Sequence, residues 1–117
     1  MSDRERRLGL NEAVFREVNE RISQINETFE SNAPSGWRTG ELDLICECDD
    51  TSCVERISMQ LAAYEQVRAD SRQFVIVPGH VDHAVEDVVA HEKTYNVVRK
   101  RPGEAATAAE ETDSRDH

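Results

Sequence analysis

All three cysteines of this chain, Cys46, Cys48 and Cys53, fall within the single stretch "LICECDDTSCVERI", Leu44 to Ile57. That clustering constrains the fold strongly, because the rest of the 117 residues offers little to build a core from. Only 38% of residues are hydrophobic and 5% aromatic, against 32% charged. Chains of this size with so thin an apolar complement often close their fold with a metal, a disulfide or a partner. The N-terminus "MSDRERRLGL" has no apolar targeting region, and the longest apolar run, "FVIV", is far too short to span a bilayer. A cytoplasmic, reducing setting follows as the expectation, and there an odd group of thiols points to metal ligation ahead of disulfides.

The local pattern says how the thiols can meet. Alternation in "ELDLICEC" places Leu42, Leu44, Cys46 and Cys48 on one strand face, with Asp43 and Glu47 on the other. "DDTS" is turn chemistry and "CVERISM" returns as a second strand, giving a hairpin. A tetrahedral zinc, with sulfur at about 2.3 Å, sets its sulfurs about 3.8 Å apart. Cysteines two apart on a strand have Cα atoms roughly 6.6 Å apart on one side, a gap that a modest bend closes. The turn then brings Cys53 back beside them, so one hairpin supplies three ligands at little cost in chain entropy. For the fourth, His80 is the first candidate, because it follows the Pro78-Gly79 turn at a strand end. His83 is the second; His91 lies beyond the next apolar segment and His117 in the tail. Asp49 or Asp50 offers oxygen, a poorer match to three thiolates than nitrogen.

Two other readings compete with a metal. Buried cysteines are often plain core residues. A redox or thiol sensor is the alternative with chemistry, yet Glu47, Asp49 and Asp50 surround the thiols with negative charge, which raises a thiol pKa, and only Arg56 opposes them. The metal expected here is structural Zn(2+), with no catalytic residues assigned. Three thiolates would leave the ion formally at about −1, a poor Lewis acid. The H-x-E…P-C-x-x-C arrangement of zinc deaminases is absent, and no Gly-rich phosphate loop appears.

The expected fold class is α+β: an N-terminal amphipathic helix, a small mixed or antiparallel sheet with the cysteine-bearing hairpin, and one or two further short helices. From Leu10 to Phe29, the residues Phe15, Val18, Ile22, Ile25 and Phe29 step by three and four, a narrow apolar seam on a helix that Leu8 extends. Asn11 reads as its N-cap, and Glu12–Arg16 and Glu17–Arg21 as i,i+4 pairs on exposed flanks. The organisation expected is a helix over 1–30, a linker over 31–40 with Pro34 and Gly36, a metal-stabilised domain over 41–101 and a disordered acidic tail over 102–117. Within the domain, "QLAAYEQVRAD" reads as a helix with Leu61, Tyr64 and Val67/Arg68 at helical spacing, and "FVIV" and "TYNVVRK" as strands. "AVEDVVAHE" fits a short helix capped by Asp82, with a strand as the alternative.

The run "ICECDDTSCVERISMQLAAYEQVRADSRQFVIVPGH" resembles a set of small, mostly uncharacterised actinobacterial proteins. Their pattern is a C-E-C-x4-C hairpin, a "Y-E-x-V-R" helix and a "P-G-H" turn, matched here by Cys46, Cys48, Cys53, Tyr64 to Arg68, and Pro78-Gly79-His80. The resemblance spans about Asn11 to Lys100 and implies no firm activity; it adds weight to His80. Gln60 and Ala63 stand where similar sequences would place a Thr and a Glu to cap the middle helix.

These features together suggest a non-catalytic, zinc-stabilised protein-interaction or regulatory module. Its expected contact surface is the seam of Phe15, Val18, Ile22, Ile25 and Phe29, facing a protein partner or a second copy, unless the chain's own sheet takes it. Trp37 in the linker reads as a plug at a core edge. No small-molecule substrate is indicated. A zinc-dependent nucleic-acid-binding transcription accessory is the least favoured reading. Lys93, Arg99, Lys100 and Arg101 cluster, but a net charge of −10 opposes phosphate binding.

Overall fold

The computed structural model of the chain describes residues 2–32, 41–50, 52–113 and 115. The expected linker elements at 33–40, Trp37 among them, and His117 lie outside the described residues. The elements run α1 (Ser2–Asn32), β1 (Glu41–Ile45), β2 (Arg56–Gln60), α2 (Leu61–Arg68), β3 (Gln73–Ile76), β4 (Glu86–His91), β5 (Asn96–Lys100) and α3 (Glu104–Glu111), an α+β arrangement. None of the described helices is long and apolar enough to cross a membrane.

The hairpin forms as its alternation requires. β1 pairs antiparallel with β2, with Leu42 opposite Met59 and Leu44 opposite Ile57, and all four side chains are buried. A second antiparallel sheet has the order β3-β5-β4. "FVIV" and "NVVRK" become neighbours in it, with Phe74 opposite Val98. Tyr64 and Val67 of α2 join Phe74, Val75, Ile76, Val97 and Val98 in one core with the hairpin's apolar face. The chain leaving β1 stitches the two sheets together: the Glu47 N–H donates to Val75 O at 2.8 Å, and the Val75 N–H donates to Glu47 Oε1 at 3.0 Å.

Several expectations change. The 84–92 segment takes its alternative and forms β4, because pairing with β5 satisfies its backbone on one side, with a bulge between Val88 and Ala90. The middle helix begins after Gln60, which makes no side-chain cap hydrogen bond. The tail expected to be disordered over 102–117 instead contains α3, whose Ala105, Ala106, Ala108 and Ala109 are buried. Small side chains suit that packing. At Gly9 of α1, a Cβ would lie 3.0 Å from both Ala105 O and Ala108 Cβ.

The largest departure is the orientation of α1. It starts at Ser2, so Asn11 is mid-helix and its side chain reaches Asp49 O at 3.4 Å. The buried face is polar: Glu12, Arg16, Asn19, Glu20 and Ser23 are all buried, alongside Ala13. Each finds partners, as burial demands. The Asn19 amide accepts from the Ile45 N–H at 2.9 Å and donates to Ile45 O at 2.8 Å, matching the last rung of β1 as a strand would. Arg16 donates to Ala109 O at 2.7 Å and lies over the Phe74 ring, 4.5 Å from its centroid. Glu20 accepts from Arg68 at 2.9 Å, and Arg68 in turn pairs with Asp113 at 2.6 Å. The Glu12–Arg16 pair expected on an exposed flank is therefore absent: Glu12 pairs instead with Lys100, which also holds Glu86. Glu17–Arg21 is an exposed pair at 3.0 Å, as its spacing predicts. Of the expected seam, Phe15 and Ile22 are half-buried, while Val18 and Ile25 are 43% and 69% exposed. The side chain of Phe29 lies outside the described residues.

Candidate metal centre

Cys46 and Cys48 sit just past the end of β1, where the chain bends out of the hairpin to run beside β3. The hairpin pairing persists one step beyond the strand, with the Cys46 N–H donating to Glu55 O at 3.0 Å. The loop back to β2 is shaped by Asp50. Its Oδ1 accepts from the Ser52 amide at 2.9 Å and hydroxyl at 2.6 Å, which holds its carboxyl below the usual carboxylate range. Its carbonyl accepts from the Cys53 N–H at 3.0 Å and so returns Cys53 toward the other two thiols.

His80 arrives from the other sheet. After β3 the His80 N–H donates to Val77 O at 3.0 Å, closing a turn with Pro78 and Gly79 at its centre. Gly79 has φ +94°, the left-handed geometry a type II turn requires and glycine supplies freely. The turn aims the imidazole at the hairpin: Nδ1 lies 3.5 Å from Cys46 Sγ and 3.7 Å from Cys53 Sγ.

The four candidate ligand atoms, three Sγ and one imidazole nitrogen, all lie within 4.8 Å of one another. A small contraction from there reaches the roughly 3.8 Å separation of sulfurs around a tetrahedral ion, so the group is placed to hold a metal. The Val77 N–H donates to Cys46 Sγ at 3.2 Å, the kind of outer bond that orients a ligating thiolate and offsets its charge. A cleft of about 220 Å³, lined by Cys48, Asp49, Asp50, Gly79, His80 and Val81, opens beside the group.

The other candidates fall away on position. His83 is exposed, with its carbonyl engaged by Arg101, and His91 is exposed on β4. Asp50 is exposed, and Asp49 turns toward Asp82; burial together with that neighbouring carboxyl pushes Asp49 up to about 7.

Cys46 and Cys48 resist ionisation on their own, for a reason other than the acidic neighbours that the sequence suggests. Burial pushes Cys46 well above the ordinary thiol range and Cys48 up to about 11. Glu47 contributes little, because it points the other way into the core. There its carboxyl accepts from Asn19 Nδ2 at 2.8 Å, the Tyr64 hydroxyl at 3.1 Å and the Val75 amide, while burial still raises its pKa. Alternation assigns Glu47 to a solvent face; nothing in the pattern shows that β3 and α1 would cover that face. Three of the four residues of the basic cluster are engaged within the chain. Lys100 is buried between Glu12 and Glu86, Arg99 pairs with Asp70 at 2.9 Å, and Arg101 with Asp87 at 2.7 Å. No family model, curated protein or solved structure matches this chain, so the case for a metal centre rests on the convergence of Cys46, Cys48, Cys53 and His80.

Proposed function

We propose that this chain is a non-catalytic interaction module whose two sheets are locked together by a zinc ion on Cys46, Cys48, Cys53 and His80. The observation that carries the reading is the convergence of four soft or borderline ligand atoms, drawn from two separate sheets, to within 4.8 Å. Three sulfurs and one imidazole match zinc among common divalent ions, and four protein ligands complete a tetrahedron with no position left for a reacting water. Ligands from both sheets make the ion a cross-brace for a chain with a thin core, which is the work of structural zinc.

The reading as a thiol sensor is weaker because Cys46 and Cys48 are only 1% and 2% exposed, and burial opposes the thiolate that oxidation needs. The test is zinc content of the native protein, repeated on Cys53→Ser and His80→Ala. One zinc per wild-type chain, lost or sharply reduced in both variants, supports the proposal. Wild-type protein that carries no stoichiometric zinc and is indifferent to a chelator overturns it.

A further inference from the structure

Helix α1 is amphipathic in the reverse of the usual sense, and the reversal leaves an organised surface. Among the described residues of α1, the exposed large apolar ones are Leu10 at 37%, Val14 at 63%, Val18 at 43% and Ile25 at 69%. At 100° per residue these four fall within an arc of about 80°, on a stripe about 22 Å long. Glu12, Arg16, Asn19 and Ser23, which dock the helix on the body, lie on roughly the opposite side. Scattered apolar residues on a surface need no explanation, but four aligned on one helix face do. Beside the stripe, a groove of about 480 Å³ runs between α1 and the end of α3, lined by Leu10, Ala13, Val14, Glu17, Val18 and Thr112.

We infer that this stripe is a self-association surface: α1 packs antiparallel against α1 of a second copy of the chain. The inference rests on the interaction-module reading and names the partner. The spacing of the stripe selects that occupant. Leu10 and Ile25 are equidistant in sequence from a midpoint between Glu17 and Val18, and so are Val14 and Arg21. Opposing the midpoints of two antiparallel copies sets Ile25 of each against Leu10 of the other, which lines the groove. It also brings Arg21 of each within one turn of Glu17 of the other, so the charges that pair within one helix at 3.0 Å also pair across the two-fold axis. A parallel pairing would set Glu17 beside Glu17 and Arg21 beside Arg21, like against like. Valine at the two central apolar positions is small enough to let the helices approach closely.

The experiment is the solution mass of the full zinc-loaded chain by sedimentation or light scattering across a concentration series, with zinc measured on the same samples. The expected result is a two-chain species that becomes a single chain in Val14→Glu and in Val18→Glu, with helix content and bound zinc unchanged, since both residues face solvent. Glu17→Arg and Arg21→Glu should each weaken the dimer roughly tenfold, and the double exchange should restore it. A wild-type chain that is monomeric throughout, a dimer indifferent to Val14→Glu, or a double exchange that fails to restore association overturns the inference. A zinc-bound monomer refutes this proposal and leaves the metal reading standing; a zinc-free dimer does the reverse.

Discussion

His80 Nδ1 stands 3.5 Å from Cys46 Sγ, and the two residues are held there by turns on different sheets. Cys46 is fixed by the hairpin through its own amide and by the Val77 N–H on its sulfur, while His80 depends on the short turn through Gly79. The centre is therefore only as well formed as that turn.

Gly79→Ala isolates the contribution of the turn. A Cβ there would meet no atom within 4 Å, so the substitution introduces no clash, only the strain of a side chain at φ +94°. That strain costs about 1–2 kcal/mol and is relieved by swinging His80 away. Zinc affinity, measured by competition with a chromogenic chelator, should fall about tenfold or more while the fold is retained. Unchanged affinity would show that His80 is aimed by something other than the turn.

If the ion braces the two sheets, removing it and removing a ligand are one perturbation. A chelator should lower the thermal midpoint of the wild type by about 10 °C or more, in keeping with a loss of a few kcal/mol from a domain of this size. Cys53→Ser should start from the lowered midpoint and respond little to the same chelator. Additive losses in a thermal scan would contradict a shared cause.

The packing of α1 on α3 makes a separate forecast. Because a Cβ at Gly9 would already press on the Ala105 carbonyl and the Ala108 methyl, Gly9→Leu must push the helices apart. A loss of about 1–3 kcal/mol is expected from overpacking, partly offset by the better helix propensity of leucine. Hydrogen exchange in 104–111 should accelerate more than in the strands. Unchanged protection there would mean that the contact contributes nothing.

The parts of this fold that were legible in sequence were those written by short-range pattern. Alternation from Leu42 to Cys48 specified the hairpin face, and the Pro78-Gly79 turn specified where a histidine could be aimed. What escaped were features set by long-range covering. Glu47 and Arg16 have the sequence signature of solvent-facing residues, and became buried because other elements supplied their partners from 28 and 93 positions away. Which face of α1 docks on the body escaped for the same reason. Hydrophobic periodicity assumes that the apolar face docks, whereas here the polar face does, with an arginine and an asparagine reaching backbone carbonyls. The α3 alanines carry too little apolar weight to announce a core helix, and their burial depends on Gly9 being where it is.

The buried cluster of Glu12, Lys100 and Glu86 separates two effects of charge. All three side chains are essentially without solvent, and Lys100 serves both carboxylates. Lys100→Met removes the shared cation and leaves two carboxylates facing each other in the core, at an expected cost of about 3–5 kcal/mol. Glu12→Gln keeps the shape, leaves Lys100 with Glu86, and should change stability by about 1 kcal/mol or less near neutral pH. The reason is that burial raises the Glu12 pKa well above its ordinary value despite the pull of Lys100, with Glu86 adding to the rise. A carboxyl raised in the folded state favours folding fully below its unfolded value of about 4.3, and that contribution is lost as pH rises through the folded value. The wild type should therefore lose stability relative to Glu12→Gln as pH rises above about 4.3, in denaturant titrations with zinc held constant. The same comparison cancels the response of the metal centre, which both proteins share. A difference that is flat with pH, or a wild type that instead loses stability relative to Glu12→Gln toward acid, would show that Lys100, not burial, sets the charge of Glu12.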